Sequence, residues 1–346
     1  MIKIKKIFDC CFVIIGTIIG AGFISGQEIY SFFCIYGFKG LIGIVFSSIF
    51  ISLIIYIILN LVLKNNINSY NDFSSFLIGK KNTISYSINN IMNVFLLISF
   101  VVMVAGFGSF FKQEFNISNI IGSLFICFLS IICFFKNING LVKINLIFVP
   151  IILICVFLLF YKSDFSLFSF KNLYLYNNIN WLLKSLLYAS YNSIILIPIL
   201  INLKQFINNK KQIYFISLFS FIIIIITSLI IYFVLSVYIK NLKQIDIPII
   251  YIATNFGLFY KYLYSLIILM AIFTTAISAG FSFINNVSKN KKQYTFFSFF
   301  ICIISIICSN IGFAKLLNTL YPVLGFLGFG EIILIMRKQI KDLKYK

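Results

Sequence analysis

The segment Gly16-Thr-Ile-Ile-Gly-Ala-Gly-Phe-Ile-Ser-Gly-Gln-Glu28 places four glycines inside the first long apolar run of the chain. A glycine in a helix interior is less stable than alanine by about 1 kcal/mol, so the cluster needs a reason. Small residues spaced by four, such as Gly16 and Gly20, allow close helix packing. Alternatively, the helix unwinds around Gly20-Ala-Gly22, and its free amides and carbonyls line a cavity that excludes lipid. In that case the candidate substrate-binding residues are Gly20, Ala21, Gly22 and Phe23.

A second anomaly, Tyr188-Ala-Ser-Tyr-Asn-Ser193, places consecutive polar side chains in the sixth apolar run, with Pro198 one turn later. Interhelical hydrogen bonding and an ordinary proline kink would explain it. The alternative is a second unwound segment around 190–193. Paired interruptions at matching places in two halves of a chain are typical of a transporter's binding site. This interpretation adds three candidate substrate-binding residues, Ser190, Tyr191 and Asn192.

The composition requires a lipid bilayer as the solvent. With 61% hydrophobic residues, 10% charged residues and a mean hydropathy of +1.06, too little polar surface remains for a water-soluble globule. A membrane crossing needs roughly 20 apolar residues. We therefore expect one transmembrane domain over 1–346, with halves at about 7–161 and 181–336. Ten apolar runs predict its helices, near 7–35, 40–63, 84–111, 118–135, 141–161, 181–203, 212–239, 259–287, 295–309 and 313–336.

The net charge of +20 reflects lysines in the gaps between apolar runs. Lysine-rich loops face the cytoplasm in membrane proteins, so we expect both termini inside and no nucleic-acid partner. The chain has no histidine, and it shows neither paired carboxylates nor a nucleophile beside a base. We therefore expect no enzyme activity and no organic cofactor. The eight cysteines lie almost entirely within apolar runs and are interpreted as packing residues.

Two carboxylates lie well inside apolar runs, where an ionisable group is a functional hypothesis by default. Glu28 follows the glycine cluster and is a candidate gate or proton carrier, or a group that simply faces water. Glu331 lies near the cytoplasmic end of the last run. Because Arg337 is close in sequence, we expect a structural ion pair there, with transport chemistry as the alternative.

The eighth run contains Ala271-Ile-Phe-Thr-Thr-Ala-Ile-Ser278, in which Thr274, Thr275 and Ser278 approximately share one helical face. Buried hydroxyls can line a site. They can equally bond the carbonyl one turn back in the same helix. The pattern alone leaves both interpretations open.

Three segments carry a resemblance that extends over essentially the whole chain: Gly16–Ile29, Tyr191-Asn192 and Leu317-Asn-Thr-Leu-Tyr-Pro-Val-Leu-Gly325. They resemble the YkvI-like bacterial membrane proteins. That family resembles a branch of the amino acid-polyamine-organocation superfamily. The resemblance implies an all-α membrane protein of the LeuT type, with about ten transmembrane helices in two inverted five-helix repeats and with helices 1 and 6 broken.

The resemblance also implies a sodium site between the break in helix 1 and helix 8. Its carbonyl ligands would be Gly16, Ile19 and Ala271, and its hydroxyl ligands Thr274 and Thr275. Oxygen ligands without thiolate or imidazole suit an alkali cation.

The function expected from these features is sodium-coupled symport of a small amino acid or a related amine across the bacterial inner membrane. Two alternatives share the fold. One is a proton-coupled permease, and the other is a germinant-type receptor that binds its ligand without bulk transport. The expected partners are the bilayer and a small-molecule substrate, while protein partners stay open.

Overall fold

The structure, a computed structural model, describes residues 2–79, 83–163, 180–242, 245, 247–309 and 328–340. This part of the chain is almost entirely helical and contains no strand. Its helices, numbered in chain order, are α1 (Ile2–Ile18), α2 (Ala21–Ile24), α3 (Gln27–Phe32), α4 (Phe38–Lys64), α5 (Tyr70–Ile78), α6 (Thr83–Phe115), α7 (Asn119–Phe135), α8 (Asn137–Lys162), α9 (Trp181–Leu203), α10 (Lys210–Val237), α11 (Pro248–Thr254), α12 (Leu258–Val287), α13 (Lys291–Cys308) and α14 (328–340).

Seven of the described helices are long and apolar enough to cross a membrane, namely α4, α6, α8, α9, α10, α12 and α13. Helix α7 is apolar but shorter, with 17 residues. The interrupted α1–α3 segment corresponds to the first predicted run and α14 to the end of the tenth. The tenth run before residue 328, including the Leu317 motif, lies outside the described residues. The all-helical membrane architecture expected from the sequence is confirmed.

Contacts between helices follow a pattern that two related five-helix repeats produce. Helix α4 packs against α9, and α1 packs against α10. The spans of the first repeat are α1–α3, α4, α6, α7 and α8, and those of the second are α9, α10, α12, α13 and α14. Because α1 then corresponds to α9 and α4 to α10, the α4–α9 and α1–α10 contacts are equivalent. In the same way α6 corresponds to α12 and α7 to α13, so the α6–α13 and α7–α12 contacts are equivalent. Two further contacts, α4–α10 and α6–α12, each join a helix to its own counterpart in the other repeat.

Burial separates central helices from peripheral ones. In the most apolar window of α12, 94% of residues are buried, against 83% for α9 and 22% for α13. Large apolar side chains such as Phe128, Ile154 and Ile307 are exposed on outer helices. Such surface is stable against lipid rather than water. Polar groups on α9 and α12 are therefore shielded from lipid by other helices.

The sixth predicted run forms one continuous helix, α9, through Ser190, Tyr191 and Asn192. The prediction of an unwound segment around 190–193 is therefore wrong. The amide of Asn192 donates to the Tyr188 carbonyl at 3.0 Å, and the hydroxyl of Ser193 donates to the Ala189 carbonyl at 2.6 Å. These side chains bond to the preceding turn and leave the backbone helical.

Glu331 also differs from its expected role. Its carboxylate is buried, and the Tyr70 hydroxyl from α5 donates to its Oε1 at 2.6 Å. Arg337 is exposed. Side chains meet on one helix face at spacings of three or four residues, whereas Arg337 follows six residues later. The Glu331–Tyr70 bond thus ties α14 to α5 in place of the expected ion pair.

Replacing Tyr70 by Phe should destabilise the protein by about 1–3 kcal/mol, because a buried carboxylate would lose its hydrogen-bond donor. Burial and the neighbouring Glu331 carboxylate raise the pKa of Tyr70 well above its usual range, so the hydroxyl stays a donor. The measurement is the thermal melting midpoint of the purified protein. Exposed Tyr86 on α6 provides the matched control, Tyr86→Phe. Equal midpoints for the two variants would contradict a structural role for the bond.

Candidate functional site

The first span is interrupted between α1 and α2. Helix α1 ends at Ile18, and α2 begins at Ala21. The amide of Gly20 donates to the Ile18 carbonyl at 2.9 Å instead of to Gly16, one turn back. The Gly16 carbonyl thereby loses its regular helical partner. The break predicted at 20–22 lies at Ile19 and Gly20, one residue earlier than expected.

A second interruption, which the sequence reasoning missed, separates α2 from α3. Gly26 has a φ of 81°, in the left-handed region that favours glycine. Helix α2 ends before this residue and α3 begins after it. A Cβ on Gly22 would lie 2.8 Å from Cγ of Glu28, so the Glu28 side chain packs directly on Gly22. Glu28 is only 4% exposed.

Helix α12 lies directly beside the first interruption. A Cβ on Gly20 would lie 2.8 Å from Oγ1 of Thr275, so only glycine leaves room for this threonine. Oγ1 of Thr275 is buried and has no hydrogen-bond partner among the described residues. A buried hydroxyl without a partner is unfavourable, which makes it a candidate ligand for an ion or a water.

The neighbouring hydroxyls are already bonded. Oγ1 of Thr274 donates to the Ala271 carbonyl at 3.0 Å, and Oγ of Ser278 donates to the Thr274 carbonyl at 2.9 Å. Thr17 on α1 donates to Oγ of Ser278 at 3.0 Å. The back-bonding interpretation therefore holds for Thr274 and Ser278, whereas Thr275 is different.

Asn145 on α8 faces the same segment and was not predicted. A Cβ on Gly16 would lie 2.9 Å from Cγ of Asn145. The Asn145 amide nitrogen donates to the Leu141 carbonyl, and its Oδ1 is buried without a hydrogen-bond partner among the described residues. A lone asparagine in an apolar run was the available signal. Its position opposite Gly16 depends on helix packing, which the sequence does not show.

A cavity of about 20 Å³ joins these elements, with room for about one water-sized particle. Among the predicted site residues, Gly20, Glu28, Tyr191 and Thr275 line it. The rest of its lining comes mainly from α1, α6 and α9 and consists of Thr17, Ile18, Ile98, Ser99, Val102, Met103 and Ile195. The third run, which supplies Ser99 and Met103, carried no predicted site residue.

The other predicted substrate-binding residues do not line this cavity. Ala21, Gly22 and Phe23 are buried beside it in α2. Asn192 bonds within α9, and the Ser190 carbonyl packs against α14, where a Cβ on Gly328 would lie 2.8 Å from the Ser190 carbonyl carbon. The structure thus concentrates the site at the break of the first span and at Tyr191.

Three further aromatic rings join Tyr191, which lines the cavity. Tyr191 stacks with Phe32 of α3 at 6.5 Å between centroids and meets Tyr188 edge-on at 5.9 Å. Phe33 packs edge-on against Tyr188 at 5.0 Å. We call these four residues the aromatic cluster.

Two curated relatives resemble the chain along nearly its whole length. The uncharacterized membrane protein YkvI of Bacillus subtilis (strain 168) is 27% identical over 339 residues, which cover 95% of this chain and 94% of YkvI. The uncharacterized protein YyaD of the same organism is 22% identical over 332 residues, with 94% of each chain covered. No protein-family model matches the chain.

Solved structures show the fold. A Na⁺-coupled sialic acid symporter matches with a TM-score of 0.69 at 13% identity, covering 96% of this chain and 78% of the symporter. MHP1, a nucleobase-cation-symport-1 family transporter, matches with a TM-score of 0.68 at 12% identity, covering 95% of this chain and 77% of MHP1. A manganese transporter of Eremococcus coleocola matches with a TM-score of 0.57 at 12% identity, covering 96% and 76% of the two chains. The chain is a multi-pass membrane protein with the LeuT-type fold of two five-helix repeats.

Proposed function

We propose that the protein is a secondary transporter of the bacterial inner membrane, coupled to sodium, that carries a small amino acid or a related amine. Both termini face the cytoplasm in this proposal. The observation that carries it is the interruption at Ile19 and Gly20, where Gly20 packs against Thr275 and both line a small cavity.

The proposed cation site uses oxygens that the break releases. Neither the Gly16 nor the Ile19 carbonyl receives the regular helical bond from four residues on, among the hydrogen bonds of the described chain. Thr275 adds a buried hydroxyl. Thr274 and the Ala271 carbonyl, now bonded to each other, would turn toward the ion. The five proposed ligands are all neutral oxygens, which favours a monovalent cation over Ca²⁺.

Contacts on both sides of the cavity support alternating access. Towards one side, the Ile249 amide of α11 donates to the Ser25 carbonyl at 3.0 Å, so α11 is docked on the first span. Towards the other side, the Asn285 amide at the end of α12 donates to Oδ1 of Asn202 near the end of α9. A carrier must open one of these closures at a time around its central site.

The structurally similar proteins support transport. Two of them are described as a Na⁺-coupled sialic acid symporter and a nucleobase-cation-symport-1 family transporter. Their sequences are too different for their cargo to be transferred to this chain. Sodium as the coupling ion is instead supported by the oxygens around Gly20.

The double variant Thr274→Ala/Thr275→Ala should lose sodium-dependent stabilisation. We expect the wild-type protein to melt at a higher temperature in NaCl than in KCl of equal ionic strength. A bound ion at ten times its Kd adds about 1.4 kcal/mol. The matched control is Thr227→Ala on α10, whose buried hydroxyl bonds to the Ile223 carbonyl.

The control variant should keep the sodium effect at a lower overall stability. Identical melting of the wild-type protein in the two salts would refute sodium coupling and favour a proton-coupled or sensing role. Retention of the full sodium effect by the double variant would refute this assignment of the site.

A further inference from the structure

The charges of the cavity point to the class of its cargo. Its described lining contains one carboxylate, Glu28, and no basic side chain. An ionisable residue at this depth is expensive to bury and faces a ligand pathway in most membrane proteins. Glu28 lines the cavity, and its side chain packs on Gly22.

The aromatic cluster adds a second group that attracts cations. The face of an aromatic ring attracts an ammonium group within about 6 Å of its centroid. The protein already contains one such pair here, because Nζ of Lys184 lies 5.7 Å from the centroid of Phe32. Phe32 in turn stacks on Tyr191, which lines the cavity together with Glu28. Tyr191 therefore offers an alkylammonium an aromatic ring in the cavity lining.

The helix that carries these groups is bounded by glycines. Helix α3 holds both Glu28 and Phe32 and lies between Gly26, with a φ of 81°, and Gly37, with a φ of 55°. Residues at such positions absorb the backbone changes of a hinge. The cavity has only about 20 Å³, so it must widen to take a cargo larger than water. A movement of α3 would shift the Glu28 carboxylate and the Phe32 ring together.

We propose that the cargo is a small primary alkylammonium without a carboxylate group. Its ammonium is held by the Glu28 carboxylate and the face of Tyr191. The carboxylate of a zwitterionic amino acid would share the cavity with Glu28, and none of its described lining residues would neutralise it. This inference rests on the proposed transport function and narrows its cargo.

The test compares compounds that differ only in the relevant groups. Ethylamine is alanine without its carboxylate, and propionate is alanine without its amino group. Melting midpoints of the purified protein are measured in NaCl with each compound over a concentration series. We expect a concentration-dependent rise with ethylamine and no rise with alanine or propionate.

Four variants test whether the Glu28 carboxylate and the Tyr191 ring bind ethylamine. Glu28→Gln should raise the Kd of ethylamine about 10- to 100-fold, because it removes a charged hydrogen-bond acceptor. Tyr191→Leu should raise it several-fold, whereas Tyr191→Phe keeps the ring and should bind nearly as the wild type does. Glu114→Gln is the matched control, since Glu114 is paired with Lys261 at 3.3 Å and does not line the cavity. It should leave the Kd unchanged.

Stabilisation by alanine equal to that by ethylamine would overturn the inference, as would an ethylamine effect that survives both Glu28→Gln and Tyr191→Leu. The absence of stabilisation by ethylamine at any concentration would overturn it as well. None of these three results would by itself refute the proposed transport function. Sodium-dependent stabilisation that is lost in Thr274→Ala/Thr275→Ala would leave the ion site in place even if no amine binds.

Discussion

Every backbone amide and carbonyl inside a bilayer needs a hydrogen-bond partner, and this requirement governs the whole molecule. The interruption at Ile19 and Gly20 leaves backbone carbonyls without their helical partners, which is possible only where protein excludes lipid. The neighbouring spans α9 and α12 are the most deeply buried long helices of the described chain. Their central position shields the break and allows unsatisfied oxygens to persist beside a cavity.

The glycine cluster has two roles that looked like alternatives in the sequence. Three of its members each receive a polar side chain from a different element: Gly16 meets Asn145 of α8, Gly20 meets Thr275 of α12, and Gly22 meets Glu28 of α3. Close packing and unwinding are therefore parts of one arrangement. The missing side chains create the space in which oxygens from three helices approach the interrupted backbone.

The sequence predicted the membrane spans and the break in the first of them, because long apolar runs and clustered glycines have local causes. It failed for α9, where serine and asparagine bond back within the helix and remove the need to unwind. It also missed Asn145 and Ser99, since each becomes part of the site only through packing between distant spans. Glu331 shows the same limit, because its partner, Tyr70, is far away in the sequence.

The central claim, a cavity that opens alternately to the two sides of the membrane, is tested most directly by thiol labelling. Ser99 lines the cavity and is 7% exposed. The variant Ser99→Cys would be made in a background without the natural cysteines and reconstituted in liposomes. The account predicts labelling by a membrane-impermeant reagent from each side, with sodium raising the rate on one side and lowering it on the other. Labelling from one side only, at rates that sodium does not change, would contradict it.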